Sequence, residues 1–465
     1  MRPFWIEQAL FNDGDLAPAL QGEHSADVCI VGGGFTGLWT AIQTKLQAPE
    51  LDIVILESDL CGAGASGRNG GCLLTWSAKF LTLHRLFGED EAVRLVKASE
   101  VAVGHIGDFC RAHGIDAEFR QDGTLYTATS QAQIGTLDPM MQALEARGIN
   151  SYRSLPVHEV ASRSGSARNL AGVFSPIAAT VHPGKLVRGL RRVALAMGIR
   201  IHERTPMLDF STDQPALVRT PNGTVRAKKL VLAMNAWMAS AFAQFERTIA
   251  IVSSDMIITE KCPDLLKAIG LDNGVSVLDS RTFVYYYRST ADGRLMLGKG
   301  GNTFAWGGRM ARVFDERSPY EAELTRALHS FFPALGSTPI TASWNGPSDR
   351  SVTGFPFFGR LNGAPHIYYG FGYSGNGVGP TYMGGQILSS LVLDQDNAWT
   401  RSKLTSGPLG HFPPEPLRFM GSIVVRNAIR RKELAEDEDR QPWLADRMLS
   451  KLASAAGKAD KADKA

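Results

Sequence analysis

The sequence predicts an α/β fold that begins with a Rossmann-type βαβ unit. An apolar strand over 28–31 runs directly into a G-x-G-x-x-G pattern at Gly32, Gly34 and Gly37. A helix follows at once, and a second apolar strand then ends at an acid, Glu57, at the distance along the chain that such units use. Strand, glycines, helix, strand and acid in this order are typical of a dinucleotide site.

Each residue type in this unit has a physical reason. Gly32 allows a tight turn, Gly34 lets the backbone approach a pyrophosphate, and Gly37 lets the helix pack close to the strand. The helix N-terminus has unsatisfied N–H groups that bind anions, and Glu57 is placed to accept hydrogen bonds from ribose hydroxyls. The alternative is a glycine-rich turn in another kind of α/β protein. The residues predicted to contact the cofactor here are Gly32, Gly34, Phe35, Thr36, Gly37, Glu57 and Ser58.

Two further glycine-rich segments are candidates for the same ligand. The loop 62–71 consists mainly of small residues, which would let the chain pass close to the pyrophosphate and flat ring of FAD. The segment 370–379 precedes a helix whose N-terminus would stabilise negative charge on a reduced flavin. The alternatives are a plain flexible loop, a helix start with a hinge and, for the strand ending at Asn235, an ordinary sheet strand. The contacts predicted from these segments and two later strand ends are Ser66, Arg68, Asn69, Gly70, Gly71, Met207, Asn235, Gly375, Asn376, Gly377 and Val378.

Composition bounds the function classes. The chain has 465 residues, is 44% hydrophobic and has a formal net charge of +3, which indicates a large core and no basic field for nucleic acid. Its five cysteines are widely spaced without a C-x-x-C pair, so neither a disulfide framework nor a metal site is expected, and a cytoplasmic location fits. No signal peptide or membrane span is expected. A flavoprotein that is reduced by a nicotinamide cofactor needs a second dinucleotide motif, and this sequence has one good motif. The electrons that reduce the flavin are therefore expected to come from an organic substrate.

The chain resembles the FAD-dependent D-amino-acid oxidase-like superfamily, which includes glycine and sarcosine oxidases. The resemblance extends over about 25–400 and is based on the motifs at 31–37, 64–71, 182–186, 355–361 and 372–378. It implies hydride transfer from a carbon beside an amine nitrogen to flavin N5. The resulting imine hydrolyses, and oxygen reoxidises the flavin to give peroxide.

The resemblance also implies two domains, an α/β part and an α+β part. The Rossmann-type FAD-binding domain is expected to be discontinuous, over 20–85, 150–240 and 340–400. The substrate domain, a large antiparallel sheet with helices, is expected over 86–149 and 241–339. A C-terminal helical extension and a disordered tail are expected over 401–465.

Departures from the family pattern predict the chemistry more closely. No cysteine stands near 351–353, where sarcosine oxidases bind flavin covalently, so FAD is predicted to be non-covalent. Met296 stands where those enzymes have an oxygen-activating lysine; Lys299 is nearby and is interpreted as a surface lysine. Ser348 stands where glycine oxidases have an arginine for the substrate carboxylate, which favours an amine over a free α-amino acid. Arg350, two residues further on, would restore such a clamp.

Aromatic residues are the candidates for the substrate pocket. Tyr285 and Tyr287 share one face of a predicted strand, and with Trp306 and Arg350 they are predicted to line a pocket for an amine. The alternative is that these aromatics are core or edge-strand packing. No side chain is predicted to act as a catalytic acid or base, because the flavin performs the bond chemistry.

Three hypotheses for function remain open at this level. The first is an FAD amine oxidase acting on a primary or secondary amine and using O2. The second is a dehydrogenase that passes electrons to a quinone or protein acceptor, reaching an anionic membrane through a basic amphipathic helix over 419–432. The alternative for that helix is docking on the body of the protein. The third is a subunit that binds FAD only to fold. The amine, the acceptor and the oligomeric state are left open.

Overall fold

The computed structural model describes residues 2–13 and 16–454, in which the chain forms two large sheets and one short strand pair. The tail predicted to be disordered, 455–465, lies outside the described residues. The strands are β1 (Gly22–Val31), β2 (Ile53–Leu56), β3 (Cys72–Leu73), β4 (Thr124–Ala128), β5 (Arg153–Leu155), β6 (Ala171–Ser175), β7 (Ala179–Thr180), β8 (Arg200–His202), β9 (Asp209–Phe210), β10 (Ala216–Arg219), β11 (Gly223–Leu232), β12 (Ile249–Thr259), β13 (Ser276–Asp279), β14 (Tyr285–Ser289), β15 (Leu295–Phe304), β16 (Ile340–Ser351), β17 (Phe357–Leu361) and β18 (Ala364–Phe371).

Helices cover the sheets and extend to the end of the described chain. They are α1 (Phe4–Asn12), α2 (Phe35–Gln47), α3 (Phe80–Phe87), α4 (Glu89–Ala112), α5 (Asp138–Glu145), α6 (Val157–Ser164), α7 (Pro183–Ala196), α8 (Met238–Ala241), α9 (Pro263–Ala268), α10 (Glu321–Phe331), α11 (Pro380–Val392), α12 (Leu417–Asp437) and α13 (Leu444–Ser454). In the described residues, no helix combines the length and apolar composition that crossing a lipid bilayer requires.

The first sheet is the Rossmann-type unit that the sequence predicts. Its main path is β17-β18-β11-β1-β2-β8, in which β18, β11, β1, β2 and β8 are parallel and β17 is an antiparallel edge strand. Ile30 and Ile55 face a core with α2, α4, α7 and α11, whereas Val31 and Leu56 face the second core on the other side. Burial on both faces explains why these strands are almost continuously apolar. The α/β fold class is confirmed.

The second sheet has the order β16-β12-β15-β14-β13-β4-β6-β5. All its pairs are antiparallel except β4 and β13, which run parallel in register from Thr124 opposite Ser276. The large antiparallel sheet that the resemblance implies is therefore present and contains one parallel pair. About 150 residues separate these two strands along the chain, which gives ample length for the crossover that a parallel pair needs.

Sheet membership and the expected domain ranges differ in three places. Strands β5 and β6 and strand β16 pair within the second sheet, although they fall in the ranges 150–240 and 340–400. Helix α4 lies in the expected substrate domain, yet it packs in the core of the first sheet, where Phe109 meets Trp39 edge to face at 4.9 Å between ring centroids. The exact division into domains stays a prediction.

The C-terminal extension is docked on the second sheet. Arg426 Nη1 donates to the carbonyl oxygen of Asn302 (2.9 Å), and Arg430 Nη2 donates to Asn302 Oδ1 (2.7 Å). The backbone N–H of Phe283 donates to Glu433 Oε1 (3.1 Å). These arginines of the basic helix therefore contact the body of the protein, which favours the docked alternative.

The N-terminal arm is fastened to α7 by a buried histidine. His182 is 2% exposed, its Nδ1 accepts a hydrogen bond from the backbone N–H of Lys185 (3.0 Å), and its Nε2 lies 3.0 Å from Gln8 Oε1. Trp5 packs against the imidazole edge to face, with ring centroids 5.0 Å apart. Burial, together with the positive charge of Arg288, lowers the pKa of His182 to about 3. The histidine is therefore neutral and caps α7.

This neutral histidine makes folding pH-dependent in a known direction. Below its ordinary pKa of 6.5 the unfolded chain takes up a proton that the folded chain does not, so stability falls as the pH falls from 6.5 towards 3. We expect His182→Asn, which keeps a capping side chain, to make the unfolding free energy fall less steeply, by about 1.4 kcal/mol per pH unit. Urea unfolding at a series of pH values measures the slope. His158→Asn, at an exposed site, should leave the slope unchanged; equal slopes for His182→Asn and the wild type would contradict the assignment.

Candidate functional site

A cavity of about 930 Å³ lies at the carboxyl ends of the central parallel strands and extends to the second sheet. At one end it is lined by the residues that follow β1, β2 and β11, and at the other by side chains of β12, β13 and β14. The edge where parallel strands end is where α/β sheets bind ligands. Of the residues predicted to contact a cofactor, those that line it are Gly32, Gly34, Phe35, Thr36, Glu57, Ser58, Ser66, Arg68, Asn69, Gly70, Met207, Asn235, Gly375, Gly377 and Val378.

The glycine turn between β1 and α2 leaves no room for side chains. Gly32 has a φ of +113°, and a Cβ there would lie 2.5 Å from the carbonyl oxygen of Ala233. A Cβ on Gly37 would lie 1.9 Å from the carbonyl oxygen of Gly32, so Gly37 allows the helix to pack on the strand and does not itself line the cavity. Gly34 precedes the first turn of α2 and lines the cavity. The helix N-terminus therefore lies at the cavity wall.

Hydrogen bonds from the protein hold the carboxylate of Glu57 in place. Its Oε2 accepts a hydrogen bond from the backbone N–H of Gly33 (2.7 Å), and its Oε1 accepts from the N–H of Asp59 (3.0 Å) and the hydroxyl of Ser58 (3.1 Å). Burial raises the pKa of Glu57, whereas the hydrogen bonds from Asp59, Gly33 and Ser58 lower it. An acceptor fixed at the end of β2 is what a ribose diol requires.

Side chains of the loop 62–71 hold the loop in shape. Ser66 Oγ accepts a hydrogen bond from the backbone N–H of Phe35 (2.8 Å), which joins the loop to the start of α2. Asn69 Nδ2 donates to the carbonyl oxygen of Ser66 (2.7 Å), and its Oδ1 accepts from the N–H of Gly71 (2.8 Å). The predicted Arg-Asn pair therefore has a structural role in addition to its place at the cavity.

Arg68 joins the loop to the segment that follows β15 and to strand β16. Its Nε donates to the carbonyl oxygen of Ala63 (2.8 Å), Nη1 to that of Phe314 (2.6 Å), and Nη2 to Asp315 Oδ1 (2.8 Å). Its own carbonyl oxygen accepts from Trp344 Nε1 (2.9 Å). Each nitrogen of the guanidinium thus has a protein acceptor.

Unpartnered polar atoms mark where a ligand fits. Asn235 has a φ of +50°, and its Oδ1 is buried without a hydrogen-bond partner; the same is true of Ser348 Oγ. Both residues line the cavity. Because buried polar groups in proteins are almost always paired, these atoms indicate a polar ligand.

The segment before α11 also lines the cavity, but several of its backbone N–H groups already donate to a carboxylate of the protein. Asp349, 2% exposed, accepts hydrogen bonds from the backbone N–H groups of Gly372, Tyr373 (3.1 Å) and Ser374 (3.2 Å), and burial raises the pKa of its carboxyl to about 6. Asn376 does not line the cavity; its Nδ2 lies 3.5 Å from the carbonyl oxygen of Thr75. Charge stabilisation by this helix end stays a prediction.

The prediction for the substrate pocket chose the wrong face of β14. Tyr286 lines the cavity, with its hydroxyl 2.8 Å from Ser254 Oγ, whereas Tyr287 packs on Phe332 in the core behind the sheet, with ring centroids 5.0 Å apart. Tyr285 shares that opposite face. Alternation correctly groups Tyr285 with Tyr287, but it does not say which side of the sheet faces the ligand.

Two other predicted pocket residues also lie outside the cavity lining. Trp306 is 52% exposed and packs edge to face on Phe419 of α12. Arg350 pairs in register with Ala250, one residue beyond Asp349, whose carboxylate faces the segment before α11. Arg350 itself is not among the residues that line the cavity.

Lys299 is not the surface lysine that the sequence suggested. It is 5% exposed, and its Nζ lies 3.7 Å from the ring centroid of Tyr285, on the face of the sheet away from the cavity. Met296 lies on the cavity side, where a Cβ on Gly70 would be 3.0 Å from its Cε. Residues that sequence reasoning missed include Ser254, Met256, Leu278 and Tyr286, which line the end formed by the second sheet.

Comparison with known proteins gives the family. Residues 27–391 match the DAO family, described as FAD dependent oxidoreductase. The chain belongs to this family. Its relatives include gamma-glutamylputrescine oxidoreductase of Escherichia coli, 29% identical over 79% of this chain and 84% of that protein, and the probable oxidoreductase OrdL of Haemophilus influenzae, 26% identical over 83% and 86%. The crystal structure of glycine oxidase from Geobacillus kaustophilus shares the fold, with a TM-score of 0.68 and 21% identity over 82% of this chain and 98% of that chain.

The protein is therefore an FAD-dependent oxidoreductase, and the cavity fits this cofactor. The side-chain-free turn at Gly32 and Gly34, the fixed acceptor Glu57 and the unpartnered atom of Asn235 together suit a dinucleotide. We propose that the lining residues named above hold FAD, with its pyrophosphate at the N-terminus of α2. When bound, FAD supplies hydride acceptance, which no amino-acid side chain offers.

A valine at Gly34 should remove the cofactor. A Cβ at this position would lie 2.9 Å from Ser66 Oγ, and the two methyl groups would occupy the approach to the α2 N-terminus. We expect Gly34→Val to retain less than about a tenth of the flavin, measured as flavin absorbance per protein after purification. Gly104→Val adds the same side chain where nothing lies within 4 Å of the Cβ, and it should keep its flavin. Full flavin content in Gly34→Val would refute this placement of the pyrophosphate.

Proposed function

We propose that the protein oxidises the carbon–nitrogen bond of a primary or secondary amine. The observation that supports this most is the shape of the cavity. It joins the dinucleotide turn to a wall of Met256, Leu278 and Tyr286 on the second sheet. A substrate on that wall would lie next to the cofactor, and an apolar and aromatic surface suits the carbon chain of an amine. Two relatives are named for nitrogen substrates, gamma-glutamylputrescine and glycine.

The reaction balances without a catalytic acid or base on the protein. The neutral amine gives up a hydride from the carbon beside nitrogen and a proton from nitrogen, which leaves an imine. Water then hydrolyses the imine to an aldehyde or ketone and a smaller amine or ammonia. The hydride would be taken up by the flavin, and its two electrons would pass from the reduced flavin to O2, which with two protons gives hydrogen peroxide. The protein's part is to bind the amine, orient the reacting carbon and exclude water.

An amine fits the cavity better than a free α-amino acid does. Among the described lining residues, the cationic side chain is Arg68, and each of its nitrogens already donates to a protein oxygen. Ser348 offers a hydroxyl in place of a guanidinium, and Arg350 does not line the cavity. A substrate carboxylate would therefore lack the bidentate partner that amino-acid sites use.

Anaerobic mixing of the purified, flavin-loaded protein with a panel of amines tests the proposal. Primary amines, secondary amines, polyamine derivatives and α-amino acids are added in turn, and bleaching of the oxidised flavin band is followed. We expect at least one amine to reduce the flavin at least about tenfold faster than any α-amino acid. Reduction by dithionite is the control for a competent flavin. Reduction by an α-amino acid alone would contradict the proposed substrate class, and bleaching by dithionite but by no compound of the panel would favour a protein that binds FAD only to fold.

A dehydrogenase is the second candidate, and the surroundings of Met296 favour it. The resemblance places an oxygen-activating lysine there, whereas this chain has a buried thioether against Gly70. Lys299 does not replace it, since it faces Tyr285 and lies near the buried Glu433, whose pKa is raised by burial and in part lowered again by the charge of Lys299. Electrons would then pass to a quinone or protein acceptor. Membrane contact through α12 stays a prediction; its outward side exposes Leu417, Met420 and Val424.

The variant Lys299→Met tests whether Lys299 takes part in the reaction of the reduced flavin with O2. Because Lys299 faces away from the cavity, we expect the reoxidation rate of the reduced protein by O2 to change less than about twofold. Stopped-flow mixing of the reduced protein with O2 measures this rate, and mixing with a soluble quinone measures the alternative acceptor. A fall of tenfold or more with O2 would show that Lys299 acts on oxygen despite its position.

Two finer expectations remain predictions. FAD is expected to be non-covalent, because Ser351 and Thr353 stand at the position of the flavin-linking cysteine, and Ser351 Oγ donates to the carbonyl oxygen of Phe355 (2.7 Å). Flavin released into the supernatant by acid precipitation would confirm it. A cytoplasmic location is expected from the cysteine pattern.

A further inference from the structure

A buried guanidinium lies directly behind the part of the loop 62–71 that lines the cavity. Arg288, on β14, is 2% exposed. Its Nε donates to the carbonyl oxygen of Gly70 (2.7 Å), its Nη2 to that of Val181 (2.8 Å), and its Nη1 to that of Ser289 (3.1 Å). The guanidinium carbon lies 5.1 Å from the ring centroid of Trp5. One peptide group therefore separates this cation from the cavity, which Gly70 lines.

No carboxylate neutralises Arg288 in the described part of the chain. Its hydrogen-bond acceptors are carbonyl oxygens, and the two acids that act on it electrostatically are bound elsewhere. Asp292 Oδ2 accepts from Arg294 Nε (3.1 Å), and Glu118 Oε1 accepts from Lys185 Nζ (2.8 Å). Burial lowers the pKa of Arg288 to about 10, so the side chain is charged at neutral pH. The site thus holds a buried positive charge that has no ion-pair partner among the described residues, in a region of low dielectric where charges act strongly.

The two glycines beside this cation, Gly70 and Gly71, lie where the neighbouring atoms leave no room for a side chain. A Cβ on Gly71 would lie 2.1 Å from the carbonyl oxygen of Val181 and 2.6 Å from Arg288 Nη2, and Gly71 has a φ of +71°. A Cβ on Gly70 would lie 2.6 Å from Cε2 of Tyr286. The backbone of the loop therefore passes as close to β14 as it can, which brings the guanidinium towards the cavity.

We propose that Arg288 is a positioning residue that also tunes the cofactor. It fixes the Gly70 carbonyl, and its unpaired charge favours the negative charge that FAD gains on reduction. The proposal depends on FAD occupying this cavity and not on which amine is oxidised. A purely structural anchor would hold the loop equally well without affecting the flavin's affinity for electrons or anions.

Sulfite binding and the flavin midpoint potential test this charge without any amine. Sulfite adds to oxidised flavin and leaves negative charge on the ring, so its dissociation constant reports the local field. We expect Arg288→Met and Arg288→Gln to raise that constant by about tenfold or more and to lower the potential. Arg288→Lys keeps the charge and should stay within about threefold of the wild type. Arg120→Met is the control for the shared acceptor: its Nη2 also donates to the carbonyl oxygen of Ser289 (2.6 Å) and its charge acts on Arg288, so this variant should raise the sulfite dissociation constant by less than about threefold.

Flavin content decides how the variants are interpreted. Unchanged sulfite affinity and potential in flavin-loaded Arg288→Met and Arg288→Gln would overturn the proposal. If both neutral variants lose flavin while Arg288→Lys keeps it with wild-type sulfite affinity, the charge is what matters. If all three lose flavin, Arg288 is a structural anchor and the proposal fails. Failure of the amine panel would leave the sulfite result intact, so the two proposals fail separately.

Discussion

The cavity exists because the loop 62–71 is held against the second sheet. Arg68 donates to backbone and side-chain oxygens of Phe314 and Asp315, and Trp344 donates back to the carbonyl oxygen of Arg68. Arg288 donates to the carbonyl oxygen of Gly70. These bonds join segments more than 200 residues apart, and they are nearly all made to main-chain oxygens. Their geometry fixes the distance between the dinucleotide turn and the wall of Tyr286.

The dinucleotide unit is the part that the sequence determines most directly. Its glycines are required by local sterics, because a Cβ at Gly32 or Gly37 would overlap main-chain oxygens only a few ångströms away. Such requirements involve neighbours a few residues along the chain or on the next strand, so they leave a fixed spacing in the sequence. The acid Glu57 follows from the same geometry. Residues of this kind can be placed before any tertiary structure is known.

The substrate end could not be predicted in the same way. Strand β14 is aromatic on both faces, so alternation groups Tyr285 with Tyr287 but leaves open whether they or Tyr286 face the cavity. The register between β12 and β15 also shifts, from Val252 opposite Phe304 to Ser254 opposite Gly300, because β15 has two extra residues there, and no sequence pattern marks this irregularity. Asn69 shows the converse limit. An amide in a glycine-rich loop is equally suited to contact a cofactor or to form hydrogen bonds within the loop. The structure shows that Asn69 forms hydrogen bonds within the loop.

Helix α12 lies beyond the region that matches the family, yet its side chains form hydrogen bonds with the second sheet and its loops. Arg281 forms an ion pair with Asp437 at 2.6 Å, and the buried Glu433 receives the N–H of Phe283. A chain shortened to the family boundary would leave Arg281 without Asp437, Asn302 without Arg430, and a polar sheet face open to solvent. The helices α12 and α13 are thus part of the scaffold of the second sheet, and a fusion partner placed at the family boundary would replace contacts that this sheet needs.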